Sequence, residues 1–324
     1  MITIKGRLRP FSHEPGSQCL IPGTSYLVEA FPALLRIREF GGATIKEFPL
    51  VIEGPLKQFT VIQDLERGCV TVFSEQYSMH VLPNLDIVDS KHPALPPLEN
   101  QERLSLGSHK KMEMDAIRRR RDFHALFPFW FRLGTLLKLR PRKGDDRGGM
   151  FSLLSACRDA RDAHRPEAIL PAFEKLFLAG FGPLLVPRAV DEEIQGILPP
   201  DTPSIDDSPL YLLTEGAALI RSLFFLASGG EISILPNLPP EFFAGRMTGL
   251  LCPSGILDLE WTKKTIRQLH FQAQEEGSVT FHFPPDMVSC RLRLHPDDKG
   301  RVFACGDSLV IKSGSLYLLD RFQK

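Results

Sequence analysis

Aromatic side chains with a polar handle are scarce in this 324-residue chain: it has 2 Trp and 4 Tyr against 23 Phe. Sugar sites commonly stack rings on Trp or Tyr, so the deficit counts against a working carbohydrate cleft; Phe is first a core residue. An excess of either charge is also missing. Lys plus Arg and Asp plus Glu each number 39, giving zero formal net charge. That excludes a polybasic nucleic-acid binder and implies no nucleic-acid partner. No window approaches the roughly 18 uninterrupted apolar residues of a membrane span. The best candidate, 217–227, is short and broken by Arg221, so no membrane partner is expected. Six scattered cysteines (Cys19, Cys69, Cys157, Cys252, Cys290, Cys305) form no CxxC pair. They are too sparse for a disulfide scaffold and read as reduced thiols behaving as small buried hydrophobes.

Short chemical motifs are lacking as well. No HxxxH or HExxH spacing occurs among the nine histidines, and neither GxGxxG nor a phosphate-binding GxxxxGK loop is found. Structural zinc and nucleotide binding therefore have no support, and no cofactor is expected. Near the start, Lys5, Arg7 and Arg9 alternate with apolar residues. That pattern reads as a strand and not as a secretory leader, so with reduced thiols the expected compartment is cytoplasmic.

What is present describes a folded chain: 43% hydrophobic and 24% charged residues are ordinary for a globular protein. Period-2 spacing of β-branched and aromatic residues runs through residues 1–92, for example at Tyr26–Val28, Leu34–Arg38, Phe59–Val61 and Val70–Val72. This predicts an antiparallel, sandwich-like β domain, with a hairpin turn over Asp64–Gly68. A Pro-rich linker at 91–100 follows. The middle, 93–230, predicts helices: one from a Ser108 cap through Arg121, then Leu126–Leu139, Phe151–Ala163, Pro166–Ala179 and Pro209–Ala227. Ser208 with Pro209 is the capping signal of the last, and Gly229-Gly230 its expected stop. Alternation returns over 231–324, where Ile266–Phe271 and Val279–Phe283 predict a hairpin across Glu275-Glu276-Gly277. The expected fold class is α+β: an N-terminal antiparallel β domain, a short helical middle and a C-terminal antiparallel β domain. No repeat of fixed period is present.

One stretch carries a family resemblance. A helix runs into Ser228-Gly229-Gly230-Glu231-Ile232-Ser233-Ile234-Leu235-Pro236-Asn237-Leu238-Pro239. Gly245, Gly249-Leu250, Gly255 and Leu257-Asp258-Leu259-Glu260-Trp261 follow. In words and order, residues 212–283 resemble the closing segment of bacterial six-hairpin glycoside hydrolases, especially the inverting α-fucosidase family. The resemblance implies a barrel of twelve helices flanked by β modules. About 130 residues between the β regions hold four to six helices at about 11–12 residues each, not twelve. The chain thus reads as a shortened relative with a truncated α/α barrel remnant.

Inverting hydrolysis needs an acidic and a basic carboxyl about 6.5–9.5 Å apart. The helical middle offers Glu113, Asp115, Glu174 and Glu215. Glu113 with His109 is an i,i+4 pair on one helix face that reads either as acid–base or metal chemistry or as a solvated surface pair. Glu215, in an apolar helix, reads as a functional carboxylate or as an arginine's partner. Arg118 opens a run of four arginines, a phosphate or nucleic-acid binding patch or a salt-bridged helix. Trp130, within Phe127-Pro128-Phe129-Trp130-Phe131, reads as pocket lining, as inter-helix core or as a partner patch. The expectation is a non-catalytic, glycosidase-like scaffold that binds a protein or glycan; the alternative is an active glycoside hydrolase using carboxylates of the helical region.

Overall fold

The computed structural model describes residues 2–89, 98, 102–107, 111–139, 149–188 and 208–324. The chain is mixed α+β, with N- and C-terminal β regions flanking a helical middle. In the N-terminal region, the meander β2 (Ser17–Leu20), β3 (Tyr26–Phe31), β4 (Leu34–Glu39) and β5 (Thr44–Pro49) forms one antiparallel sheet. The second contains β1 (Phe11–Ser12), β6 (Thr60–Asp64), β7 (Cys69–Phe73), β8 (Ser78–Val81) and β9 (Ile87–Asp89). Val28, Leu35 and Ile37 of the first sheet and Val61, Val70 and Val72 of the second are fully buried in one core. The predicted β6–β7 hairpin forms, with Gly68 at φ +70°. The expected strand over Ile2–Leu8 does not; this segment is irregular.

The middle holds α1 (Met114–Arg120), α2 (Phe123–Leu136), α3 (Gly149–Asp162), α4 (Pro166–Gly180) and α5 (Tyr211–Phe224). Nearly every side chain of α2 is buried, in keeping with a helix that is apolar all round and enclosed by others. It packs on α5 at two glycines. A Cβ on Gly134 would stand 2.3 Å from the Leu213 carbonyl oxygen, and one on Gly216 2.6 Å from the Trp130 ring. These absences of side chain let the two helix backbones approach closely. The first helix starts later than expected: 111–113 are not helical and α1 begins at Met114, so Glu113 precedes the helix and is not on a helical face with His109. Ser108 itself lies outside the described residues, as does most of the 91–100 linker.

The C-terminal region is a two-sheet sandwich. Its larger sheet has the order β10 (Arg103–Ser105), β13 (Ala244–Cys252), β14 (Gly255–Thr262), β15 (Thr265–Ala273), β20 (Leu316–Gln323), β17 (Ser289–Arg293) and β18 (Arg301–Ala304). The smaller contains β11 (Phe225–Ser228), β12 (Glu231–Ile234), β16 (Gly277–His282) and β19 (Ser308–Ile311). All these pairs are antiparallel except β12–β16.

Two local expectations are corrected here. The last helix stops at Phe224, and 225–228 becomes β11; Gly229-Gly230 is then the tight turn to β12, with Gly229 at φ +58°. Phe224, Phe225 and Trp261 are buried, and Phe224 stacks on Trp261 at 5.3 Å, so sheet packing overrides helix continuation. Similarly, β15 and β16 do not form a hairpin: β15 pairs with β14 and β20, β16 with β12 and β19. The polar loop 274–276 carries the chain from one sheet to the other. Phe271 and Phe281 then meet across the sandwich, ring edge to face at 5.8 Å. A short polar loop between alternating strands serves a hairpin or a sheet-to-sheet corner equally well.

Candidate functional site

The short strand β1 has two neighbours. It pairs with β6, and Phe11 also bridges to Glu113, its amide donating to the Met112 carbonyl at 2.9 Å. This places the start of α1 against the turn that follows β1. Between them opens a cleft of about 520 Å³ lined by His13, Glu14, Glu113, Asp115, Arg118 and Arg119. Three residues singled out in the sequence, Glu113, Asp115 and Arg118, are thus brought together with a histidine and a glutamate from elsewhere in the chain.

Each side chain has a distinct setting. Ser12 is fully buried and donates its hydroxyl to Asp115 Oδ2 at 3.0 Å. Ser12 in turn accepts from Ser17 Oγ at 2.9 Å and from the Glu14 amide at 3.2 Å. This buried hydroxyl chain holds the Asp115 carboxylate, which lines the cleft. His13 Nδ1 lies 2.9 Å from Thr60 Oγ1 and 3.2 Å from the Phe59 carbonyl, and its ring meets Phe11 edge-on at 5.1 Å. A carbonyl accepts only, so its contact assigns a proton to Nδ1. Glu113 stands immediately before α1, its carbonyl accepting from the Ile117 amide at 3.0 Å.

Arg118 has a structural role. Its Nη1 donates to the Phe181 and Gly182 carbonyls at 2.9 and 2.6 Å, and the guanidinium lies over the Phe177 ring at 5.3 Å. Burial pushes its pKa down, with Arg188 adding to the effect. The arginine run splits as its helical spacing requires. Arg118 turns inward, Arg119 Nε reaches the Asp115 carbonyl at 3.4 Å, and Arg121 pairs with Glu174.

The remaining sequence candidates lie elsewhere. Glu215 on α5 accepts from Arg158 Nη2 at 2.6 Å, the arginine-partner reading. Trp130 has no exposed surface; its Nε1 donates to the Leu212 carbonyl at 3.3 Å, and Phe173 and Phe181 pack edge-on against it. It is core. His109 lies outside the described residues. His13 and Glu14 lie in the N-terminal β region, outside the helical middle that holds the other candidate carboxylates. Their signal was the polar turn His13-Glu14-Pro15-Gly16 between two strand patterns, a place where functional side chains concentrate.

Among the described residues, no cluster of three His, Cys, Asp or Glu side chains is placed to hold a metal ion. No helix among them is long and apolar enough to cross a membrane. No protein-family model matches the chain, and no curated protein matches it.

Proposed function

We propose that this chain is a non-catalytic binding protein on a glycosidase-like scaffold, with the β1–α1 cleft as its ligand site. The observation that carries this reading is the filled helical middle. Phe127, Phe129, Trp130, Phe131, Phe173 and Phe177 are all fully buried, and the carboxylate of α5, Glu215, is taken by Arg158. Among the described residues, these side chains fill the space between α2, α4 and α5. Further support comes from residues 212–283, where a helix, a proline corner and strands β13 and β14 follow in the order of the six-hairpin glycosidases.

The ligand is polar. Glu14, Glu113 and Asp115 supply acceptors, while His13 and Arg119 supply donors or an acceptor at the imidazole. This donor and acceptor mixture suits a glycan or a hydrophilic protein segment, and the cleft contains no Trp or Tyr platform on which a sugar ring would stack.

A second reading, an active glycoside hydrolase, is favoured by one observation: Glu113 and Asp115 open onto the same cleft as His13. A panel of chromogenic glycosides together with a glycan array separates the two. The binding reading expects retention of a glycan without turnover, lost in Glu113→Gln with Asp115→Asn while the melting temperature holds. Turnover abolished by Glu113→Gln or Glu215→Gln would overturn it.

A further inference from the structure

The C-terminal sandwich is open along one side. β18 ends the larger sheet and β19 ends the smaller one, so each presents an unpaired strand edge. Between these edges lies a groove of about 590 Å³, bounded by the 292–301 hairpin and by β19. Its floor is apolar, with Leu292, Leu309 and Tyr317 buried. Its mouth carries apolar side chains in water: Leu294 is 49% exposed and Val310 74%.

Charge around the groove is one-sided. Lys299, Arg301 and Lys312 line it and form no ion pair among the described residues. The fourth cation, Arg293, pairs at 2.6 Å with Asp320, a carboxylate it shares with Arg291. The one lining carboxylate, Asp298, is turned to its own loop, accepting from the His295 amide at 2.9 Å. Three unpaired cations therefore surround exposed apolar surface beside two free strand edges.

We propose that this groove is a docking site for an extended, acidic segment of a partner protein, whose backbone adds to the free edge of β19. Strand addition uses main-chain hydrogen bonds for affinity and alternate side chains for specificity. Here every second side chain of the segment is apolar and packs on Leu294 and Val310. The intervening carboxylates meet Lys299 and Arg301, and one at the end of the segment meets Lys312, which shares the Val310 face just beyond β19. A second copy of this chain is disfavoured as occupant, because edge cations brought against the same cations repel. The surface is separate from the β1–α1 cleft and does not depend on the reading of that cleft.

The test uses the full chain and a fluorescein-labelled peptide of about ten residues alternating Glu and Val, the length of one added strand with flanks. A Lys/Val alternation and a block peptide with the Glu and Val residues segregated serve as controls. Fluorescence anisotropy is expected to show saturable binding of the Glu/Val peptide alone, weakened about tenfold or more by added salt and by Arg301→Glu with Lys312→Glu. Amide exchange is expected to slow at Ser308–Ile311 when the peptide is bound. Val310→Asp, on an exposed side chain, should abolish binding with an unchanged melting temperature. Absent or non-saturable binding of the Glu/Val peptide, equal binding of the Lys/Val peptide, or insensitivity to the charge reversals would overturn the proposal. So would concentration-dependent dimerisation that is lost in Val310→Asp, which would assign the groove to a second copy.

Discussion

Arg246 and Glu260 face one another across the β13–β14 pair, with Arg246 Nη2 2.9 Å and Nε 3.1 Å from the same Glu260 Oε1. The pair belongs to a row that crosses the whole larger sheet in register: Ser105, Arg246, Glu260, Gln268, Asp320, Arg291 and Val302. Gln268 donates to the second oxygen of Glu260. Asp320 takes a two-pronged contact from Arg291, at 2.7 and 2.8 Å, and a third from Arg293. The outward face of this sheet is thus stitched by cross-strand polar pairs while its inward face is apolar.

That row makes the fold acid-sensitive. Burial works against the Glu260 carboxylate, but hydrogen bonds from Arg246 and Gln268 outweigh it and hold its pKa below 4.5. For Asp320 the Arg291 hydrogen bonds lead, and its pKa also falls below the ordinary 3.8. A depressed carboxylate contributes stability that is fully present above its unfolded pKa and lost as pH falls through the folded value. His270 acts earlier: burial lowers its pKa from 6.5, so the unfolded chain takes up a proton first and stability declines on acidification from 6.5 downward. The urea midpoint is expected to fall in these two windows. His270→Gln should flatten the upper window and Asp320→Asn the lower; unchanged slopes would refute the assignment.

Gly134→Ala is expected to destabilise the chain by about 3 kcal/mol or more, above the usual range for an added methyl. The new Cβ meets the Leu213 carbonyl oxygen at 2.3 Å and Ala217 Cβ at 2.5 Å, and helix backbone cannot yield as a side-chain tip does. Ala has the better helix propensity, by about 0.8–1.0 kcal/mol, so a rise in stability on urea denaturation would show that α2 and α5 are not in this contact.

Arg132→Met is expected to stabilise. Arg132 is buried on α2, and among the described residues neither its Nε nor its Nη1 has a hydrogen-bond partner. Burial lowers its pKa; Glu66 supports its charge and Arg103 opposes it. Replacing a poorly compensated buried charge by a long apolar side chain gains about 1–3 kcal/mol. A lower denaturation midpoint in the variant would mean that the charge is compensated after all.

Thiol labelling separates the cysteines by burial. Cys19, Cys69, Cys157 and Cys290 are buried, while Cys252 and Cys305 are half-buried. Burial pushes the Cys69 thiol up to about 11 and those of Cys157 and Cys290 up to about 12. Maleimide at about pH 8 should therefore modify only Cys252 and Cys305 in the native chain, and slowly, since the thiolate is the reactive form. Mass spectrometry of peptides before and after denaturation checks this. Rapid native labelling of Cys157 would contradict the packing of α3.

The elements themselves were legible in the sequence because they follow local rules. Strand alternation marked β3, β4, β6, β7 and β14, and apolar periodicity bounded by Pro166 marked α4. The same rules placed the order β, α, β. Partnership was not legible. Whether β15 pairs with β16, or whether 225–228 continues a helix, depends on which apolar faces meet, and Phe224, Trp261, Phe271 and Phe281 decide it through contacts remote in sequence. The candidate site divides the same way. Chemical type nominated Glu113, Asp115 and Arg118 from the chain alone. Only the tertiary structure set His13 and Glu14 beside them, because one bridge between Phe11 and Glu113 brings together segments about a hundred residues apart, and only the packing of α3 on α5 gave Glu215 to Arg158. Local propensity acts over a few bonds along the chain; a cleft is made where distant segments exclude water together.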